Sequence, residues 1–352
     1  MRCCKGKFNR FKFGNIAIGF GNLRKTNDTG RDLRVRFNGV GSLVGQLAGS
    51  LRDFSADFVG SGSFSADLSN IKQLDASIAG QGTLTGDLAD FVGLLDDYPN
   101  AAAAYSVRLL SGSYTGALVR IRKDTTGQPE KDFYPDENGE LSLDSEDGGN
   151  TRLGNWIGSN DGYLVTWYSQ AGISGRDATQ SSASQQPKLL SGGSFITVNA
   201  KPALDFTIDN TQEVASSIPS GSSYSLFSVL SSTDTQAIPY NDTPNGSGNY
   251  FSWWQNGSTS SPNSGVGTPS YYYDSLLINP ANTQTLYNNY ATGNQEFQQV
   301  VNLDFTSWSN FVFGGWGSSG YAFSGYFQEI VLYNSDQTSN ISGIYTNQSN
   351  YF

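Results

Sequence analysis

The sequence predicts an all-β protein in two parts, a repetitive strand region followed by a β-sandwich, on three observations. Gly, Ser, Thr, Asn and Gln dominate the 352 residues, charged residues make up 15% and aromatic ones 13%, with 19 Tyr and 6 Trp. That balance favours short strands and turns over helices. Residues 39–91 are periodic, and from Tyr114 onward short β-branched and aromatic runs alternate with clusters of Gly, Asn and Ser. The length exceeds one ordinary β-domain. The expected division is a basic arm over 1–38, a repeat over 39–93 and a head over 94–352.

The repeat is visible in Gly39-Val40-Gly41-Ser42-Leu43, Gly60-Ser61-Gly62-Ser63-Phe64 and Gly80-Gln81-Gly82-Thr83-Leu84. A finer period places apolar or small residues at alternate positions: Leu43/Gly45/Leu47, Phe54/Ala56/Phe58, Phe64/Ala66/Leu68, Leu74/Ala76/Ile78 and Leu84/Gly86/Leu88. Such alternation means one short strand per unit with one apolar face. A lone meander of these strands leaves that face wet and its edges open. The expectation is therefore a homotrimeric β-prism or spiral, with Leu43, Leu47, Phe54, Phe58, Phe64, Leu68, Leu74, Ile78, Leu84 and Leu88 facing a shared axis. A meander packed on the head is the alternative. The repeat resembles segments of fibre and other structural proteins of tailed bacteriophages, which implies a virion protein anchored near its N-terminus.

Charge is unevenly placed. Ten of the 21 Lys and Arg lie within residues 1–36, whereas the whole chain carries a formal −10. A basic arm on an acidic body suggests docking of Arg2, Lys5, Lys7, Arg10, Lys12, Arg34 and Arg36 onto an acidic surface, here other virion proteins of a capsid or tail. Residues 153–352 offer Arg176, Lys188 and Lys201 as their cations, too few for a sequence-specific nucleic-acid face.

His is absent, and Cys3 and Cys4 are the two cysteines. That removes Ser-His and Cys-His nucleophiles, His-ligated metals and an intrachain disulfide framework, and leaves paired carboxylates or oxygen-liganded cations. No apolar run approaches a membrane span, and Ile16 to Phe20 is too short and Gly-broken for a signal core. An extracellular protein without such a signal fits a virus particle better than a secreted one.

The head opens at Leu94 to Tyr98, then Pro99-Asn100, then Ala101 to Leu110, where the one helix-like stretch of note lies. Strands are expected at Ala117–Arg122, Leu164–Tyr168, Ser223–Leu230, Phe311–Phe313 and Gly325–Tyr333, as in a sandwich or jelly roll. Ala104-Tyr105-Ser106-Val107-Arg108-Leu109-Leu110 with Tyr114–Arg122, Thr166-Trp167-Tyr168-Ser169-Gln170-Ala171-Gly172 through Gln180, Val198–Phe206 and Ser324–Tyr333 carry a further likeness. Together they are similar to the catalytic β-sandwich of the fungal arabinofuranosidase B family. The resemblance covers roughly residues 94–352 and implies a concanavalin A-like jelly roll. It departs at Ser169 and Ala171, where that family reads Tyr-Asp-Gln-Ser-Gly.

Retaining glycoside hydrolysis needs two carboxyl groups about 5–5.5 Å apart. The resemblance implies a nucleophilic Glu shortly after the Ser223–Leu230 strand, yet residues 231–262 hold Asp234 and Asp242 and no Glu. The acid maps near Asp274 without a supporting motif. No catalytic residue is assigned, and the expectation is a glycan-binding head that is not an enzyme. Trp253, Trp254, Tyr271, Tyr272, Tyr273 and Trp316, with Asp242, are the candidate sugar contacts, because aromatic faces stack on sugar C–H surfaces. No metal site is assigned and no cofactor is expected, although Asp161, Asp177, Asp205, Asp209 and Asp242 could supply oxygens to Ca²⁺. A secreted carbohydrate-active enzyme and a ligand-free decoration protein are the alternatives to the virion reading.

Overall fold

A computed structural model of the chain falls into two compact units, Met1–Phe91 and Val92–Phe352. It describes residues 91–207, 212–244, 248–279, 281–315 and 320–352 in full, and between 16 and 89 the backbone pairing of the strands.

In the first unit successive strands alternate between two sheets. Asp32–Asn38, Asp53–Val59 and Gln73–Ala79 run parallel in one, and Gly41–Leu47, Gly62–Ser69 and Gly82–Ala89 run parallel in the other. Each strand therefore pairs with the next strand but one. The register stacks the repeat: Leu33, Phe54 and Leu74 share a row, as do Phe37, Phe58 and Ile78. In the other sheet Leu43, Phe64 and Leu84 share a row, and so do Leu47, Leu68 and Leu88. Short antiparallel strands, Asn22–Arg24 and Ile16–Ile18, border the first coil.

This corrects the meander. A period of about ten residues fixes strand length, but backbone pairing across two such units is what satisfies the N–H and C=O groups inside one chain. The open edges that argued for a three-chain prism are paired within the chain except at the two borders of each sheet. Arg34 and Arg36 also belong to this unit and not to a free arm, aligned with Ser55 and Asp57. Arg2, Lys5, Lys7, Arg10 and Lys12 lie outside the described residues.

The second unit is built on a seventeen-stranded sheet, antiparallel throughout its ladders, that folds over on itself. Tyr224–Ser232 is central to one layer, between Glu296–Leu303 and Gly325–Tyr333. Ser270–Tyr273 and Ala101–Ser106 extend this layer on either side. The facing layer runs from Glu130–Phe133 through Val119–Lys123, Gly162–Trp167, Ala178–Thr179 and Val214–Ser217 to Asn310–Phe313 and Tyr240–Asn241. Lys188 pairs with Asp205 and Leu204 with Phe327, which makes the corner.

Aromatic rings fill the space between layers. Tyr105, Trp167 and Phe313 meet with centroids 5.8, 5.9 and 6.0 Å apart, and such pairs add roughly 0.5–1.5 kcal/mol each beyond their buried area. The outer side of the first layer is covered as well. Phe227, Val301, Val331 and Tyr333 pack there with Leu94 of a short helix (Leu94–Asp97) and with Ile341 and Ile344 of the last helix (Ile341–Tyr351).

Double coverage explains why Tyr224–Ser232 is buried at every position, so no alternation marks its faces. It also corrects the helix-like reading after Leu94. Ala101–Ser106 is a strand, fully buried and paired with Gly325–Tyr333, because small side chains suit a layer squeezed from both sides even though alanine favours helices. Beneath the last helix a buried ion pair ties the sheet together: Arg108 Nε donates to Glu329 Oε2 at 2.8 Å, and the Ser106 hydroxyl and Gln348 amide also donate to that carboxylate.

Candidate active site

The sequence places an Asp-Ser pair between Tyr273 and Leu276, and the structure makes it a two-residue hairpin turn. Asp274 and Ser275 sit at φ 48° and 63°, with Tyr273 aligned to Leu276. Both central residues in the left-handed region give a type I′ turn, which a short polar residue such as Asp tolerates. Ser275 N–H donates to Gln299 Oε1 at 3.1 Å, fixing the turn to the Glu296–Leu303 strand. Asp274 is thus held at a rigid tip beside Tyr273.

Glu296 begins that strand and is buried, 2% exposed. The Thr292 hydroxyl donates to its Oε1, and the Tyr273 hydroxyl also bonds it. Burial pushes the Glu296 carboxyl above its usual range, the two hydroxyls pull it back in part, and the charge of nearby Asp274 raises it further. Burial raises Asp274 too.

Asp234 follows the Tyr224–Ser232 strand at the same end of the ladder. There Gly293 N–H donates to the Ser232 carbonyl at 2.8 Å, and the Ser231 hydroxyl donates to the Gly293 carbonyl at 3.3 Å. Burial also raises Asp234, against three backbone N–H donors from Gln236, Ser324 and Thr235. Its main-chain carbonyl accepts Trp254 Nε1 at 3.0 Å. From Trp254 a line of rings leads to Tyr290 (6.4 Å) and on to Tyr273 (6.1 Å), so aromatic surface connects Asp234 with the Asp274–Glu296 pair.

The arrangement keeps acids without cations. A carboxyl group that holds its proton toward neutral pH is suited to protonate a leaving oxygen, and a second carboxyl can then act as nucleophile or base. Two other carboxyl groups of the unit are paired with cations: Asp132 is held low by the Arg120 guanidinium, with Nε–Oδ1 at 2.7 Å and the Tyr168 hydroxyl adding a bond, and Asp161 by Lys188 at 2.7 Å.

The candidate sugar contacts separate. Trp254 and Tyr271 are core residues, 0% and 1% exposed, which corrects their reading as ligand-facing: Trp254 packs against Tyr290 and Phe323, and the Tyr271 hydroxyl accepts Ser252 N–H at 3.2 Å. Trp253 packs edge-on against Tyr250 and Tyr321. Tyr272 and Tyr273 are half-buried. Asp242 accepts Asn249 N–H at 3.0 Å and its side-chain amide at 2.8 Å, holding its own loop. Trp316 and Asp209 lie outside the described residues. Asp161, Asp177, Asp205 and Asp242 each hold a local turn or ion pair, and no group of three or more acidic or thiol ligands converges among the described residues.

Sequence reasoning reached Asp234 and Asp274 but passed over Glu296. The signal was a lone Glu opening an apolar strand, Glu296-Phe297-Gln298-Gln299-Val300-Val301, where a charge has no reason to sit unless the fold supplies partners.

Comparison with known proteins adds the following. No protein-family profile matches the sequence, and no curated protein does. Three solved structures are similar at low identity. An α-L-arabinofuranosidase of family GH54 soaked with a cyclic sulfate inhibitor matches at 12% identity and a TM-score of 0.45, and a mutant soaked with 4-nitrophenyl α-L-arabinofuranoside at 13% and 0.44. An arabinofuranosidase complexed with arabinofuranosyl-α-1,2-xylobiose matches at 14% and 0.44. Each match covers 70% of this chain and 62% of the other, so the chain spans less than two thirds of their length. The expectation of a protein that is not an enzyme is corrected here, since the structures it resembles are all enzymes.

Proposed function

We propose that the Val92–Phe352 unit is a carbohydrate-active module that acts on glycosidic bonds of arabinofuranosyl groups, with Asp274 and Glu296 as its working carboxyl pair and Asp234 beside them. The observation that carries this reading is the pairing at one sheet end: a buried Glu served by two hydroxyls, next to a turn-tip Asp, with no cation partner for either among the described residues. The sequence likeness of Ala104–Arg122 and Thr166–Gln180 to the arabinofuranosidase B family supports it. In this reading one carboxyl of the pair exchanges the proton with the leaving oxygen, while the other, ionised, attacks or activates water. The strand coils and the basic arm serve as the attachment part, set against an acidic partner surface such as that of a virion.

The test is release of nitrophenol from 4-nitrophenyl α-L-arabinofuranoside, and of arabinose from a xylo-oligosaccharide bearing one arabinofuranosyl branch, by the full chain. Asp274→Asn and Glu296→Gln are each expected to lower kcat at least about a hundredfold, the low end of what one acid–base group supplies. Absence of turnover on both substrates, or turnover unchanged by both variants, refutes the reading.

A further inference from the structure

The segment that carries Glu296 has a second side. Gly293 to Gln295 and Phe297 border an open cleft of about 450 Å³, closed by the Val198-Asn199 turn and by Ser349 and Phe352. We propose that this cleft docks a neutral oligosaccharide, positioning the chain of which the reacting sugar is a branch. The inference deepens the reading above and rests on it for the identity of the sugar.

The volume lies within the roughly 300–1,000 Å³ of small-ligand sites. The chemistry of the lining selects the ligand class. Asn199, Asn294, Gln295 and Ser349 are polar and uncharged, and among the described residues no Asp, Glu, Lys or Arg side chain lines the cleft. A phosphate would call for Arg or Lys and a metal ion for carboxylates. An apolar ligand would cover the Asn294 amide on the rim without offering it a hydrogen-bond partner. A saccharide meets both halves of the surface, placing hydroxyls on the polar side chains and a C–H face on the half-buried Phe297 ring.

The cleft is also built rigidly. Asn199 and Ala200 form a tight turn at φ 51° and 64°, a left-handed conformation that is strained for an alanine and that persists where the surroundings impose it. Those surroundings are specific. Asn199 Nδ2 donates to Gln295 Oε1 at 3.1 Å and to the Phe352 carbonyl at 2.7 Å. Gln295 Nε2 donates to Gln328 Oε1, and Gln328, 0% exposed, donates back to the carbonyls of Val198, Lys201 and Pro202 at 3.1, 3.1 and 3.2 Å. A buried glutamine thereby locks the turn and the Gln295 amide in one geometry. Phe297, on the cleft wall, meets Tyr345 edge-on at 5.4 Å, and Tyr345 lies within the field of Asp274.

Two variants of the full chain test this, Ser349→Trp, which fills the cleft from the last helix, and Asn294→Ala on its exposed rim. The readout is calorimetric affinity for the branched xylo-oligosaccharide, alongside turnover of the aryl arabinofuranoside, which carries no xylan chain. Ser349→Trp is expected to weaken oligosaccharide binding at least tenfold and Asn294→Ala about threefold, with aryl-glycoside turnover unchanged. Wild-type affinity in both variants overturns the proposal, as does a wild-type chain that does not bind the oligosaccharide. Should Ser349→Trp lower the melting temperature, Asn294→Ala decides alone. Cleft-dependent binding in a chain inert toward the aryl glycoside upholds the cleft and removes the reaction; turnover without cleft-dependent binding does the reverse.

Discussion

Two carboxylates of the second unit, Asp132 and Glu296, are treated in opposite ways. Asp132 faces a bidentate Arg120 guanidinium at 2.7 and 2.9 Å and titrates below its usual range. Glu296 is more deeply buried, is offered only hydroxyls, and titrates above it. A fold that can place Arg120 against Asp132 could in principle neutralise Glu296 as well. The contrast teaches that burial costs a charge unless a cation accompanies it, and that the end of the sheet around Glu296 is where this cost is left standing.

Three measurements sharpen or break this contrast. The largest effect belongs to a buried acid that does have its cation. Glu329→Ala leaves Arg108, whose side chain is 10% exposed, without its partner, and is expected to cost about 3–5 kcal/mol. Denaturant unfolding of the variant reads this directly, and a loss under 1 kcal/mol would mean that the pair is not closed off from water.

Glu296→Gln is expected to act with the opposite sign. Because the folded carboxyl lies above its ordinary value of 4.5, its contribution is fully present below that value and is lost as pH rises through the folded pKa. The amide cannot ionise, so the variant should melt higher than the wild type near neutral pH and equal to it below pH 4.5. A melting difference that does not vary with pH breaks the comparison.

Asp132→Asn should give the smallest effect, because both partners are more than about a third exposed or close to it, 40% and 33%. The loss is expected to be at most about 1 kcal/mol. It should be present above the ordinary value of 3.8 and vanish as pH falls through the lowered folded pKa. A loss that persists in acid would assign the effect to packing.

How much of this was legible depended on coverage. The strands expected near Leu164, Ser223, Phe311 and Gly325 are present as Gly162–Trp167, Tyr224–Ser232, Asn310–Phe313 and Gly325–Tyr333, since runs of β-branched and aromatic residues between turn clusters need no partner to be recognised. Which side chains reach a ligand was not legible. Trp254 and Tyr271 look like sugar platforms in sequence and are core in the fold, because the groups that cover them, Tyr290 and Phe323 on Trp254 and Ser252 at the Tyr271 hydroxyl, come from distant parts of the chain. Glu296 was hidden for another reason: its partners Thr292, Tyr273 and Asp274 gather only when the Ser270–Tyr273 strand pairs with Glu296–Leu303. The last helix, with Gly343 and a run of polar residues, has little intrinsic propensity, and packing of Ile341, Ile344 and Gln348 on the sheet sustains it.

The first unit carries a consequence for length. Because each strand there is in register with the next strand but one, the described strands of one coil pair with those of the coil before and the coil after it. Two consecutive strands can therefore be added or removed as a cassette without renegotiating any distant contact, and each cassette changes the reach of the unit by one inter-strand spacing, about 4.8 Å. The repeat is in that sense a ruler, graduated in pairs of strands, whose span can be retuned while the rest of the chain stays as it is.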